Sequence, residues 1–284
     1  MSTGLASSDT RRSSPIRLLA GVVSNEREGE ANLRLVLEVG DWPDWKPGQF
    51  VMLSPGPETG VLRHDPLLPR PMAIFESYGE PGRERIEVVY KVEGRGTRLI
   101  AEASVGDHVR VVGPLGQGFE TAALTSRSIL VGGGTGAASL YRLARDAPAA
   151  ASVSVILGAQ RSELLMAAGD FEKLGLDLRF ATEDGSRGTK GLVTDVLKAL
   201  LAETREADAD TRLFACGPTA MMRACYDLAL AAGVPCSVAL ENRMACGFGV
   251  CLGCAVPMAA GGFSLVCHQG PVYDAAELDW PGLP

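Results

Sequence analysis

Four cysteines near the end of the 284-residue chain have the spacing of a redox metal centre. They are Cys246, Cys251, Cys254 and Cys267, in the pattern C-x4-C-x2-C-x12-C. This is the plant-type spacing in which four thiolates hold a [2Fe–2S] cluster. The alternative is a structural zinc site, but zinc ribbons usually pair two C-x2-C knuckles. We therefore predict a [2Fe–2S] cluster, which carries one electron at a time.

Glycine-rich loops form a second group of candidates. The first is Gly132, Gly133, Gly134, Thr135 and Gly136, between a predicted strand and a predicted helix. Backbone N–H groups at such a helix start can contact a pyrophosphate. Two other segments, Asp184-Gly185-Ser186 and Cys216-Gly217, also follow predicted strands. Ligands of open α/β sheets bind at the carboxyl ends of strands, so together they predict a nucleotide site. Each segment alone could be an ordinary turn.

The first third of the chain carries two further anion-binding candidates. Arg70 begins the predicted strand RPMAI, and the segment 94–97 opens a short predicted helix. A guanidinium or a helix start can meet a phosphate group. The alternatives are a salt-bridged surface arginine and an ordinary turn.

The elements that position these residues fall into three parts. Apolar residues alternate with polar ones over 33–39 and 86–92, which indicates antiparallel strands up to about residue 119. After residue 125, short apolar strands alternate with helical segments, which is typical of a parallel sheet. The predicted fold class is an antiparallel β-barrel, then an α/β nucleotide-binding domain, then a small iron–sulfur module. The predicted boundaries are a disordered lead-in over 1–15, a barrel over 16–122, an α/β domain over 123–240 and a cluster module over 241–284.

Composition narrows the class of partner and compartment. A net charge of −7 argues against binding to nucleic acid. No apolar run reaches the roughly 18 residues of a membrane-spanning helix. Seven cysteines without regular pairing indicate a reducing, cytoplasmic compartment. The three cysteines outside the cluster motif are expected to be small buried hydrophobic residues.

The order of motifs resembles that of the ferredoxin-reductase family. The motifs are KPGQF at 46–50, RPMAI at 70–74, EGRGT at 93–97, GPLGQGF at 113–119, GGGTG at 132–136, CGP at 216–218 and the cysteine tail. Within that family, the chain resembles the electron-transfer subunits of class 1B dihydroorotate dehydrogenases from about residue 16 to residue 275. The segment RMACGFGVCLGC is the most specific part of the match, and GGGTG is the least specific.

The resemblance implies that the barrel binds FAD, that the α/β domain binds NAD and that the tail holds the cluster. The implied FAD contacts are Arg70, Pro71, Met72, Ala73, Val89, Tyr90, Lys91, Gly96 and Thr97. The glycine loop 132–136, Asp184 to Ser186 and Cys216-Gly217 would face the pyridine nucleotide. In the wider family a serine usually stands near flavin N5 where this chain has Ala73. The N5 contact must therefore come from the backbone or from another residue.

The implied function is electron transfer in pyrimidine biosynthesis. Electrons would pass from the FMN of a dihydroorotate dehydrogenase catalytic subunit, through [2Fe–2S] and FAD, to NAD+ in a hetero-oligomer. No catalytic acid or base is required. One alternative is a reductase of the same build that serves a hydrogenase or an electron-bifurcating complex. Another is a non-catalytic redox sensor or a zinc-stabilised interaction module.

The choice between NAD and NADP stays open from the sequence. Arg161, Arg187 and Lys190 could reach a 2′-phosphate, whereas Glu183 or Asp184 could hold a ribose hydroxyl.

Overall fold

A computed structural model of the protein describes residues 14–30, 32–57, 65–121, 124, 127–149, 151–203 and 210–284. The predicted lead-in lies outside these ranges except for residues 14 and 15. The predicted boundary between residues 122 and 123 lies outside them as well.

The N-terminal part of the chain forms an antiparallel seven-stranded sheet. Its strands are β1 (Ile16–Glu28), β2 (Asn32–Gly40), β3 (Phe50–Pro55), β4 (Arg70–Ala73), β5 (Glu76–Tyr78), β6 (Glu84–Lys91) and β7 (His108–Leu115). The strand order is β4-β3-β7-β1-β2-β6-β5. Within the described residues β4 and β5 do not pair, so the sheet is an open half-barrel, the form that the predicted barrel takes. One short helix, α1 (Arg95–Ala101), packs against it where the sequence predicted a helix.

The second sheet is the predicted parallel one, with one antiparallel edge. Its strands are β8 (Arg127–Gly133), β9 (Ser152–Ala159), β10 (Asp177–Thr182), β11 (Thr189–Lys190), β12 (Thr211–Cys216), β13 (Cys236–Ala239) and β16 (Val272–Asp274). They lie in the order β11-β10-β9-β8-β12-β13-β16, and only β16 runs antiparallel to its neighbour. The two glycine loops at the ends of β8 and β12 are therefore neighbours.

Four helices connect these strands. They are α2 (Ala137–Arg145), α3 (Ala168–Lys173), α4 (Val193–Ala202) and α5 (Thr219–Ala231). Helix α2 lies where a helix was predicted, directly after the glycine loop 132–136. Pro218 has an extended ψ of 139° and precedes α5 as its N-cap. No helix within the described ranges combines the length and the apolar character needed to cross a membrane.

The cluster module packs tightly against both sheets. It contains a two-stranded hairpin of β14 (Ala255–Pro257) and β15 (Phe263–Leu265), and it supplies β16 to the second sheet. One apolar core joins Phe50 and Met52 of the half-barrel to Cys254 and Val256 of the module and to Val238 in the parallel sheet. This shared core brings the cluster loop close to both sheets.

Candidate functional site

A cavity of about 670 Å³ lies where the half-barrel, the parallel sheet and the cluster module meet. Its volume is within the usual range for sites that bind organic cofactors. Residues that line it come from segments far apart in the sequence. They are Gly48, Phe50, Leu68, Pro69, Arg70, Pro71, Met72, Ala73, Val89, Tyr90, Lys91, Glu93, Thr97, Thr135, Ser139, Cys216, Ala239, Leu240, Glu241, Asn242, Arg243, Met244, Pro271 and Pro284.

One wall of the cavity is formed by β4, by β6 and by the start of α1. Arg70 begins β4, and its Nη1 donates hydrogen bonds to the carbonyl oxygens of Leu68 and Pro69 at 2.8 and 3.2 Å. Gly96 leaves room for this guanidinium, since a Cβ there would lie 2.5 Å from Arg70 Nε. Thr97 accepts hydrogen bonds from the backbone N–H groups of residues 93 and 94, which fixes the helix start. The sequence-predicted residues of this wall thus lie together.

Tyr90 is on β6, in the same wall, and a partly buried hydrogen bond holds its side chain in place. Its hydroxyl donates to Asn25 Oδ1 at 3.0 Å, and Asn25 Nδ2 donates to the carbonyl oxygens of Ile100 and Ala103. Burial raises the pKa of Tyr90 to about 12, so the phenol is neutral at physiological pH. The ring of Tyr90 is therefore a fixed, uncharged surface of the cavity.

The opposite wall is made by the loops after β8 and β12. A Cβ on Gly136 would lie 2.2 Å from the Cys216 carbonyl oxygen and 2.5 Å from Gly217 N. Gly134 has a φ of +54° and Gly217 a φ of +154°, which favour glycine at both positions. The two loops consequently approach each other backbone to backbone. Thr135 and Cys216 line the cavity. The five glycines of these loops do not: Gly132, Gly133, Gly136 and Gly217 are buried, and Gly134 is exposed.

The third predicted nucleotide segment lies further away. Asp184 to Ser186 follows β10, which is two strands from β8, and none of its residues lines the cavity. Asp184 Oδ1 accepts hydrogen bonds from Ser186 N at 2.9 Å and Ser186 Oγ at 2.6 Å. These bonds lower the pKa of Asp184, which keeps the exposed carboxylate ionised.

Residues 239–244 complete the cavity, and sequence reasoning did not identify them. Glu241 reaches across to the glycine loop and accepts a hydrogen bond from Thr135 Oγ1 at 3.1 Å. Glu241 is exposed towards the cavity, and partial loss of solvent around its carboxyl group raises the pKa. Glu93, another cavity residue, adds to the increase. The feature of the sequence that could have indicated these residues is their proximity to the cysteine motif, since Glu241 is five residues before Cys246.

The cluster loop brings the four predicted cysteines into two pairs. Cys254 Sγ and Cys267 Sγ are 3.2 Å apart, and the side chains of Cys246 and Cys251 are within hydrogen-bond reach. Burial alone would raise the pKa of Cys246, but backbone N–H groups of residues 248, 250 and 251 outweigh it and lower this pKa to about 6. Gly249 N donates to Cys267 Sγ at 3.1 Å. All four thiols are free of disulfide bonds.

This arrangement fits a two-iron cluster better than one metal ion. Among the described residues, no three histidine, cysteine or acidic side chains converge as the ligands of a single metal ion do. A [2Fe–2S] cluster divides four thiolates between two irons, and the thiols here form two pairs. Backbone N–H groups aimed at sulfur also stabilise thiolate ligands. Cys251 is exposed at the protein surface, whereas Cys254 and Cys267 are buried.

Comparison with known proteins identifies the parallel sheet and the cluster module. Residues 241–279 match the family model described as the iron-sulfur cluster binding domain of dihydroorotate dehydrogenase B. Residues 130–227 match the oxidoreductase NAD-binding domain. A dihydroorotate dehydrogenase B (NAD(+)) electron transfer subunit from Geobacillus kaustophilus is 38% identical over 238 residues, which cover 82% of this chain and 86% of the relative. The chain belongs to this family of electron transfer subunits.

Other electron transfer subunits match over more of their length. The one from Caldanaerobacter subterraneus is 35% identical over 269 residues, covering 92% of this chain and 98% of the relative. A solved structure described as NADH-dependent reduced ferredoxin-NADP oxidoreductase has a TM-score of 0.79 and 30% identity, and covers 94% of this chain and 91% of its own. The cytochrome P450 reductase GcoB from Amycolatopsis, at 22% identity and a TM-score of 0.63, shares the fold over 78% of this chain and 67% of its own.

Family membership decides several alternatives that the sequence left open. The electron transfer subunit is an oxidoreductase whose cofactors are FAD, a [2Fe–2S] cluster and NAD. Residues 241–279 form an iron–sulfur cluster binding domain, so the zinc alternative is excluded. The predicted combination of an antiparallel flavin-binding sheet, a parallel nucleotide-binding sheet and an iron–sulfur tail is confirmed.

Proposed function

We propose that this chain carries electrons from the FMN-containing catalytic subunit of a dihydroorotate dehydrogenase, through its own cofactors, to NAD+ in pyrimidine biosynthesis. The observation that carries the proposal is the continuity of cavity and cluster loop. Met244 lines the cavity, and the cluster ligand Cys246 is two residues further along the chain. Two residues span at most about 7 Å, so the cavity and the cluster are near neighbours. Such proximity suits direct electron transfer.

The wall formed by the half-barrel is our proposed FAD site. Its contacts would be Arg70, Pro71, Met72, Ala73, Val89, Tyr90, Lys91, Gly96 and Thr97. Arg70 and the start of α1 supply positive charge and N–H groups for the pyrophosphate. When bound, FAD exchanges a hydride with the nicotinamide and single electrons with the cluster. The role of the chain is to hold FAD and the nicotinamide together and to exclude water from them. We therefore assign no catalytic acid or base.

The wall formed by the parallel sheet is our proposed NAD site. The glycine loop 132–136 and Cys216-Gly217 lie at adjacent strand ends, and a nucleotide lying along this edge would extend towards Asp184, Gly185 and Ser186. Gly134 is exposed and Thr135 is half-buried, so a pyrophosphate would meet the loop at these two residues. Cys246, Cys251, Cys254 and Cys267 are the proposed cluster ligands.

The surface around Cys251 is our proposed docking face for the catalytic subunit. Phe248, Val250 and Leu252 are 54%, 73% and 63% exposed and surround the exposed ligand. Exposed apolar patches of this kind mark interaction sites. Val250→Asp should weaken association with the catalytic subunit by about tenfold or more, because it places a charge within the interface. Leu230→Asp, at an apolar residue of α5 that is 63% exposed, is the matched control and should associate normally.

The proposal as a whole is tested by reconstitution. The purified chain is mixed anaerobically with an FMN-type dihydroorotate dehydrogenase subunit from the same source, and dihydroorotate-dependent formation of NADH is followed. We expect turnover that requires both proteins. If NADH reduces an artificial dye but no turnover couples to dihydroorotate, the partner assignment is wrong.

A second candidate is a reductase subunit of an electron-bifurcating complex or a hydrogenase. It is favoured by the similarity to the NADH-dependent reduced ferredoxin-NADP oxidoreductase, at 30% identity. Electron exchange with ferredoxin but not with the dihydroorotate-oxidising subunit would support this alternative.

A further inference from the structure

A cluster of charged side chains joins the half-barrel to the parallel sheet outside the cavity. Arg34 lies on β2, and its guanidinium contacts three carboxylates. Two belong to the half-barrel: Glu28 Oε2 is 2.8 Å from Nη2, and Glu87 Oε2 is 2.6 Å from Nη1. The third, Asp170 on α3, lies across the boundary, with Oδ2 2.5 Å from Nη2. Arg34 is therefore shared between the two parts of the molecule.

The same guanidinium rests on a stack of aromatic rings that crosses the boundary. Arg34 Cζ lies 4.7 Å from the centre of the Phe75 ring. Phe75 stacks on Tyr141 with ring centres 4.2 Å apart, and Tyr141 meets Phe171 edge-on at 5.3 Å. Phe75 belongs to the half-barrel, whereas Tyr141 and Phe171 belong to α2 and α3. We name Arg34, Phe75, Tyr141 and Asp170 the Arg34 junction.

Both cavity walls begin within two residues of this junction. Ala73 lines the cavity at the end of β4, and Phe75 is two residues later. Ser139 lines the opposite wall on α2, and Tyr141 is two residues later. Two residues of a helix rise only about 3 Å, so the junction and this cavity wall are close neighbours along α2.

Arg34 is essential to the geometry of the junction because of the charges that surround it. Its guanidinium separates carboxylates from both sides of the boundary, and all four side chains are between 14% and 25% exposed. Like charges repel strongly when they are partly removed from water. The planar fork of arginine can hold several carboxylates at fixed angles, which lysine cannot do. Loss of Arg34 would leave Asp170 facing Glu28 and Glu87 across the boundary.

We propose that Arg34 is a positioning residue for hydride transfer: through Asp170 and the Phe75–Tyr141 stack it sets the separation of the two cavity walls. This inference rests on the proposed function, in which one wall holds FAD and the other NAD. Hydride transfer requires the reacting atoms at about 3–3.5 Å, so a displacement of about 1 Å far from the chemistry can slow it by up to a hundredfold.

The test compares two carboxylates that Arg34 binds in the same way. Asp170→Asn removes charge from the contact across the boundary, whereas Glu87→Gln removes an equal charge within the half-barrel. In the FAD-loaded protein, stopped-flow reduction of the flavin by saturating NADH should slow by about ten- to a hundredfold in Asp170→Asn. It should stay within about twofold of wild type in Glu87→Gln. FAD affinity should not change in either variant.

A second measurement follows a contact across the boundary directly, without measuring activity. The Ala167 amide donates to Glu28 Oε1 at 2.8 Å across the boundary. Its hydrogen exchange should therefore become faster in Asp170→Asn and remain as in wild type in Glu87→Gln. Tyr141→Leu should reproduce the effects of Asp170→Asn, and Tyr141→Phe, which keeps the ring, should behave as wild type. If Asp170→Asn folds poorly, Tyr141→Leu and Tyr141→Phe provide the same comparison.

Three outcomes would overturn the inference in distinguishable ways. Equal slowing in Asp170→Asn and Glu87→Gln would mean that the charges only stabilise the fold. Faster exchange at Ala167 with an unchanged hydride-transfer rate would mean that the junction does not position the walls. Wild-type protein whose flavin NADH does not reduce would overturn the proposed function, and the positioning role with it.

Discussion

The cluster loop and the cofactor cavity are neighbours that are built in opposite ways. All four proposed cluster ligands come from one stretch of 22 residues, 246–267, and one of them is exposed at the surface. The cavity is lined by residues from Gly48 to Pro284, and it lies at the junction of three parts of the molecule. A local motif can therefore be recognised from spacing alone, whereas a cavity of this kind depends on how distant elements pack.

Because the cluster loop and the cavity are built from different segments, we expect that a substitution can remove one cofactor and leave the other bound. Cys251→Ser should abolish the [2Fe–2S] cluster, since Cys251 is one of four ligands, and leave FAD bound. The variant should reduce an artificial dye with NADH and lose essentially all transfer to or from the catalytic subunit. Iron analysis and flavin absorbance measure the two sites separately. Val250→Ser, in the same loop, should keep its iron; full partner-coupled turnover by iron-free Cys251→Ser would contradict the electron route.

In the cavity, the largest single effect is expected at Arg70. A charge-assisted contact to the pyrophosphate contributes roughly 1.5–3 kcal/mol. Arg70→Ala should therefore weaken FAD binding by about tenfold to a hundredfold, measured by titration of the apoprotein. Gly96→Ala should have an effect in the same direction, because its Cβ would displace the guanidinium. Arg95→Ala is the control, since Arg95 is exposed and pairs with Asp65. Unchanged affinity in Arg70→Ala would remove Arg70 from the FAD site.

The outer edge of the nucleotide-binding sheet predicts a preference for NADH. Arg187 pairs with Glu172 and stacks over the Phe180 ring at 4.0 Å, and Arg161 pairs with Glu30 at 2.7 Å. Both arginines already have partners, while the Asp184 carboxylate is exposed and would repel a 2′-phosphate. We expect kcat/KM for NADH to exceed that for NADPH by at least about tenfold.

Two variants sharpen this preference. Asp184→Ala should lower the ratio of kcat/KM for NADH to kcat/KM for NADPH. Glu172→Gln, which weakens the ion pair with Arg187, should lower this ratio too. Lys173→Gln, at an exposed residue of the same helix, should leave it unchanged. Equal use of NADH and NADPH by the wild-type protein would favour the second candidate function.

Long regular elements and local motifs could be predicted from the sequence, and short or distant features could not. The period-two strands β2 and β6, the helix α2 and the four cysteines have strong local signals. In contrast, β11 has only two residues and α3 only six, too few for a periodic pattern. Contacts such as Arg34 with Asp170 join residues 136 positions apart, and charge alone does not indicate which distant partner a residue meets.

The smallest expected effect concerns Glu241, a residue that lines the cavity. Burial raises its pKa in the folded protein above the unfolded value of about 4.3. The folded state therefore favours the protonated carboxyl, and this contribution to stability is present at low pH and lost as pH rises through the folded-state pKa. Glu241→Gln, which mimics the protonated form, should raise the melting temperature of the apoprotein at pH 8 by no more than about 3 °C, and by less at pH 5. Glu183→Gln, at an exposed residue outside the cavity, is the matched control. An equal shift of the Glu241→Gln variant at both pH values would mean that packing changes, not the loss of a charge, cause its effect.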